Sequence, residues 1–291
     1  MAGDANYGDV VLLLHGNGAN ASTSFTDNSP APRAVTPAGN AQISTAQSQF
    51  GGSSMLFDGS GATLSIPYST DFDIGTNYTI EAWVWKPATT DLCVVSSRNA
   101  GNINYHLFVG AYVSIDTISS GGTLSLAGTT AVTSNAWHHV AATKDGNTWR
   151  IFLDGNLEAS GTVSGTYAAT GVPIVVGATS AGYYFNGYIG DLRITKNVAR
   201  HTASFTPPTE AFPDGSNSIS GVVHDSSGAL CARIVRAYRR DTGELMSATT
   251  SDAATGAYSL PCGSEEVTLV FLDNASSGTY YNDLAQRVIP A

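Results

Sequence analysis

Charge is scarce in this 291-residue chain: only 12% of residues are Asp, Glu, Lys or Arg, and no basic run exceeds the pair Arg239-Arg240. With 13 basic against 23 acidic residues the net charge is -10. A phosphate-neutralising surface, and with it nucleic-acid binding, is excluded. Cysteine is scarcer still. Cys93, Cys231 and Cys262 are too few and too scattered for a disulfide framework, and no C-x-x-C pair exists for zinc or redox chemistry. Cys231 and Cys262 either pair or remain reduced. Long apolar runs are missing too, since the early run Val10 to Leu14 falls far short of the roughly 20 residues a membrane span needs. The opening MAGDANYGDVVLLLHG carries acids where a secretory leader carries bases, so no classical export signal is expected there.

What fills the chain is Ser, Thr, Asn, Ala and 31 Gly around short apolar runs, a composition of turn-rich β structure that excludes a helical bundle or coiled coil. Runs such as 54–57, 62–66, 78–85, 105–109, 137–143, 148–153 and 188–194 alternate or stay short between Gly, Asn and Asp. Roughly a dozen such strands predict an all-β sandwich or jelly roll. Only 196–202 (KNVARHT) reads as a helical turn. Three prolines and a Gly/Ser/Asn cluster in 206–218 interrupt the pattern and place a domain boundary there, dividing the chain into 1–213 and 214–291. The second segment has its own strand series between 219 and 272, enough for a small Greek-key β-sandwich.

His15-Gly16-Asn17-Gly18 has the look of a Gly-rich oxyanion segment, but no G-x-S-x-G elbow accompanies it, so a strand ending in a tight turn accounts for it. Two-carboxylate glycoside hydrolysis needs acids sharing one face of a strand. In 78–86 (YTIEAWVWK), Glu81 stands alone, with Trp83 and Trp85 where partner acids would project. Asp71 and Asp73 have the spacing but lie in a turn, where a capping role accounts for them. The six histidines offer no zinc spacing, and the adjacent His138 and His139 point to opposite faces of a strand. The chain is therefore expected not to be an enzyme. Most aromatics belong to the core, but Tyr183 and Tyr184, in the Gly-flanked loop 177–187, are candidates for an exposed sugar-contacting surface. Calcium takes oxygen ligands of the kind that Asp27 and Asp191 offer from the two ends of the first domain. A turn cap and an ordinary strand Asp are the alternative readings.

Taken together, 10–27 (VVLLLHGNGANASTSFTD), 51–58, 78–87, 136–155 and 187–213 resemble laminin-G-like, concanavalin A-like jelly-roll domains, over nearly all of 7–213. The version they are most similar to occurs in tailed-bacteriophage virion proteins. Residues 218–291 resemble the transthyretin-like or carboxypeptidase-regulatory-like small β-sandwich. The resemblance implies a non-enzymatic virion structural protein, a capsid decoration or appendage subunit assembled in the host bacterial cytoplasm. It would be present in many copies, partnered by other capsid or tail proteins, and able to contact host polysaccharide. A tail fibre or receptor-binding adhesin is the alternative from the same context, and a glycan-active enzyme the alternative from another class. The resemblance also implies calcium at Asp27 and Asp191, and the absence of the acid triplet that glucanase relatives carry on the strand here spanning 78–86.

Overall fold

The computed structural model describes residues 4–87, 92–99, 102–215, 218–225, 227–239, 243, 245–261, 267–273 and 283–288. It is all-β, as the composition predicts. The chain divides into two compact units, Asp9–Phe212 and a second made of Met1–Gly8 with Pro213–Ala291. The sequence boundary at 213/214 did not separate the first eight residues from the jelly-roll segment; here Asp4 donates its N–H to the Gly215 carbonyl at 2.9 Å.

The first unit contains β1 (Val10–Leu14), β2 (Thr36–Ala38), β3 (Gln42–Ser44), β4 (Ser54–Asp58), β5 (Thr63–Ile66), β6 (Asn77–Trp85), β7 (Leu92–Arg98), β8 (Ile103–Val109), β9 (Val113–Ser119), β10 (Gly122–Ala127), β11 (Trp137–Asp145), β12 (Thr148–Leu153), β13 (Asn156–Thr162), β14 (Ile174–Val176) and β15 (Asn186–Lys196). One antiparallel sheet runs β13-β12-β11-β6-β15-β4-β3, with β1 also on β15, and the other runs β10-β9-β8-β7-β14-β5-β2. Between them lies a single core that includes Tyr78, Ile80, Ala82 and Val84 of β6, Tyr105, Leu107 and Val109 of β8, and Trp149 and Ile151 of β12. Because side chains alternate along a strand, those inward residues fix which neighbours face out. On β6 they are Thr79, Glu81, Trp83 and Trp85, and on β8 His106 and Phe108.

Turns are set by residues that tolerate positive φ. Asp154 (φ 48°) and Gly155 (φ 77°) close the β12–β13 hairpin between Leu153 and Asn156, the two-residue connection whose twist matches that of the strands. The expected helical turn at 196–202 is not formed. Lys196 ends β15, Asn197 turns the chain at φ 59°, and the following residues run on irregularly. Their backbone and side chains instead engage the outward face of the larger sheet, a tertiary preference that overrides the weak local one. Among the described residues the helical elements are two single 3-10 turns, Tyr7–Asp9 and Thr70–Phe72.

The second unit holds β16 (Ser218–Val222), β17 (Arg233–Arg239), β18 (Leu245–Thr250), β19 (Ala257–Pro261), β20 (Val267–Asp273) and β21 (Asp283–Val288). They form a pair β16-β19 and a sheet β18-β17-β20-β21, around a small core of Ile219, Val223, Val235, Ala237, Leu260, Val267 and Leu269. Cys262, and hence its pairing with Cys231, lies outside the described residues.

Candidate functional site

The outward faces of the two large sheets differ. On the larger sheet, segment 197–212 covers the surface. Glu81, fully excluded from solvent, receives Arg193 Nε at 3.0 Å and Nη2 at 2.8 Å on Oε1, and His201 Nε2 at 3.0 Å on Oε2. His139 Nε2 lies 3.5 Å from Oε2 and Arg200 Nε 3.8 Å from Oε1. Burial alone would push this carboxyl up, but Arg193, with His139 and His201, outweighs burial and holds it well below the usual range. The His201 ring stacks on Phe205 at 3.5 Å, and Arg193 lies over the Phe212 ring at 4.1 Å. Glu81 therefore cannot reach a substrate. The acid that the sequence isolates on this strand is an anchor for the covering segment.

Asp27 and Asp191 are both buried but serve different partners. Asp27 accepts the N–H groups of Leu13 (3.1 Å), Ser29 (3.0 Å) and Arg33 (2.9 Å), tying the turn after β1 back onto that strand. Asp191, at a bulge in β15 with φ 37°, pairs with His15 Nδ1 and accepts the Phe212 N–H at 3.1 Å. Every carboxylate oxygen of the pair already has a protein donor. Among the described residues no group of three or more His, Cys, Asp or Glu side chains is placed to hold a metal. The arrangement does not gather Asp27 and Asp191 into one calcium site, because each carboxylate serves its own amide or imidazole donors and, among the described residues, no third acidic or histidine ligand joins them.

His138 and His139 go to separate surroundings, as their adjacency predicts. His138 bridges Asp154 Oδ2 (2.7 Å) and Thr133 Oγ1 (2.8 Å), holding the loop before β11 to the β12–β13 turn, while His139 lies against Glu81 and Trp83. A cavity of about 450 Å³ near Tyr167 contains Lys144, whose Nζ is committed to the carbonyls of Gly75, Thr76 and Gly146.

The smaller sheet opens a groove on its outward face. The groove, of about 400 Å³, is lined by Arg98, His106, Phe108, Asp116, Ser125 and Tyr183 among others. Register builds it: His106 lies directly across from Asp116, and Asp116 from Ser125, so three adjacent strands contribute neighbouring side chains to one face. Tyr183 is 50% exposed and meets the Phe108 ring edge-to-face at 5.7 Å, and Phe108 meets the His106 ring the same way at 5.5 Å. Tyr184, 38% exposed, is not among the lining residues.

The polar groups of this groove are incompletely matched. His106 is only 3% exposed, yet its Nε2 has no hydrogen-bond partner among the described residues. Burial and the nearby Arg98 cation push this imidazole down to about 4, against the opposing pull of Asp116. It is thus neutral at pH 7. Asp116 accepts the Ser125 hydroxyl. Sequence reading singled out Tyr183 but missed Arg98, His106, Phe108 and Asp116. Strand alternation was the available signal for His106 and Phe108, both set off by one position from the core residues Tyr105, Leu107 and Val109.

Comparison with known proteins agrees with this geometry. Residues 58–202 match the family model described as the concanavalin A-like lectin/glucanases superfamily, in its laminin-G-type version. The first unit has the concanavalin A-like jelly-roll fold. Similar solved structures include domain 4 of AbnA, an extracellular arabinanase of Geobacillus stearothermophilus, in complex with arabinotriose (15% identity, 65% of this chain and 92% of that one, TM-score 0.50). Two others are the receptor-binding domain of botulinum neurotoxin mosaic serotype C/D (11%, 92% and 72%, 0.51) and the serotype G binding domain (12%, 97% and 71%, 0.50). At these identities the likeness is one of fold. Among curated proteins none matches the chain. The fold of the concanavalin A-like domain is of the carbohydrate-binding type, and its open groove and its sealed Glu81 face lie on opposite sheets.

Proposed function

We propose that the chain is a non-enzymatic glycan-binding protein whose concanavalin A-like domain holds a short stretch of polysaccharide in the groove beside Tyr183. The observation that carries this reading is the combination, in one open depression, of a half-exposed tyrosine ring, the Asp116 carboxylate and a buried imidazole nitrogen with no partner among the described residues. Aromatic faces take the apolar face of a pyranose, and nearby polar groups fix its hydroxyls. The arabinotriose complex of the arabinanase domain supports the same use of the fold. The sequence resemblance of 187–213 to virion proteins supplies the setting: a multi-copy subunit displayed on a bacteriophage particle, docked on capsid or tail proteins, contacting host polysaccharide.

The test is titration of the full chain with bacterial surface oligosaccharides, alongside a Tyr183→Ala variant. Binding by the unaltered protein is expected, weakened about 5- to 10-fold in the variant, in line with the worth of one aromatic contact. Absence of binding to every glycan at millimolar concentration overturns the reading. Release of reducing ends during the titration would overturn its non-enzymatic part. Labelled antibody on intact particles tests the virion setting, where failure to decorate any particle counts against it.

A further inference from the structure

The groove contains a charge that no described residue matches. Arg98, at the end of β7, pairs by its backbone with Ile103 of β8, but its guanidinium makes no hydrogen bond or ion pair with any described residue, although it lines the groove. Other arginines of this unit are committed: Arg33 to Asp71, Arg193 to Glu81, Arg150 to Asp145 at 3.6 Å. An unmatched guanidinium in a groove is a fork of donors suited to a planar carboxylate, which it can grip through two parallel hydrogen bonds. Beside it, the His106 Nε2 lacks a partner among the described residues although the ring is almost wholly buried.

We infer that the glycan held in this groove is an acidic one, a hexuronate whose single carboxylate sits on Arg98 while its ring hydroxyls meet His106 and Asp116 and its apolar face meets Tyr183. This deepens, and rests on, the glycan-binding reading above. The groups facing His106 are Arg98 from β7, Asp116 from β9, Phe108 on its own strand and Tyr183 from the loop. With the imidazole neutral at pH 7, the groove offers one positive charge and not two. Asp116, directly across from His106, repels a second anion and accepts hydroxyls instead. The match is therefore to one carboxylate per sugar with free hydroxyls, and not to a sulfated polyanion. It is also a short-range match. The net charge of -10 offers no long-range attraction to an acidic polymer, so selectivity depends on the contact at Arg98.

The deciding experiment titrates the full chain with matched pairs of oligosaccharides, each hexuronate oligomer against the same oligomer after reduction of its carboxyls to neutral alcohols. The galacturonate/galactose, glucuronate/glucose and mannuronate/mannose series serve as probes. The expected result is a preference of about ten-fold or more for the acidic member of at least one pair. Arg98→Gln should erase that preference, and Arg98→Lys should retain part of it. Equal or tighter binding of the neutral members overturns the inference and leaves the glycan reading standing, whereas binding of neither member overturns both. The preference is measured on the unaltered protein, so the outcome is decided even if a variant fails to fold.

Discussion

The two outward faces of the sandwich start from the same strand geometry and end in opposite states. On the larger sheet, a carboxylate, two guanidiniums and two imidazoles share one covered cluster under segment 197–212, in which Glu81 is matched although the His139 ring nitrogens have no hydrogen bond among the described residues. On the smaller sheet, the Arg98 guanidinium and the His106 Nε2 have no partner among the described residues and border an open groove. A buried polar group that is fully paired stabilises and orders the chain, whereas one left unpaired carries a cost that persists until a ligand meets it. The contrast identifies Glu81 as structural and the region around Tyr183 as the place to look for recognition.

The largest blow to this contrast comes from Glu81→Ala, which strands Arg193 and Arg200 under the covering segment. Breaking a buried ion cluster from one side costs about 3–5 kcal/mol, to be read by denaturant unfolding. A loss below about 1 kcal/mol would mean the cluster is no anchor. Its pH dependence has a definite sign. The Glu81 carboxyl titrates lower in the folded than in the unfolded chain, so its contribution is complete above the usual glutamate value of about 4.5 and fades as the pH falls below that. The stability gap between the unaltered protein and Glu81→Gln should shrink over that range.

Gly155→Ala strikes the same cover from outside. Gly155 accepts the Phe205 N–H at 2.8 Å, and a Cβ there would lie 2.0 Å from the Phe205 carbonyl oxygen at a φ of +77°. A loss of about 2 kcal/mol is expected, combining positive-φ strain with displacement of the segment, and calorimetry would check it. Tyr183→Ala should by contrast shift unfolding by less than about 0.5 kcal/mol while lowering glycan affinity. A variant that loses stability and affinity together would erase the distinction between the faces. Smallest of all is chelation. Addition of EDTA should leave the melting temperature unchanged, because no three potential ligands are grouped around Asp27 or Asp191 among the described residues. A fall would show that an ion is held there.

Much of the architecture was legible because a strand needs only its neighbours to reveal which side is buried. The run VSIDTIS of β9 shows its alternation directly, and the structure buries every other residue of it. The groove was not legible in the same way. Arg98, His106, Asp116 and Tyr183 come from three strands and a loop, and only register tells which of them meet. Tyr183 was found because a Gly-flanked loop marks exposure, a local property. Glu81 was seen as a lone acid, but its partners Arg193 and His201 lie 112 and 120 residues away, beyond any spacing rule. The segment 196–202 misled for a related reason: its helix-compatible residues are spent on contacts with the sheet, so the fold and not local propensity sets its path.

One further consequence follows from the pairing of β1 with β15. Val10 lies opposite Thr195, and the chain returns at Phe212 to bond Asp191 on that same strand. Entry and exit are thus about four residues apart along β15, roughly 13 Å at the usual rise per residue. A body of some two hundred residues whose ends lie so close behaves, toward any chain that carries it, like a short loop. Closing such a gap costs a host little entropy, which makes residues 9–212 a natural cassette for grafting into an exposed turn of another protein.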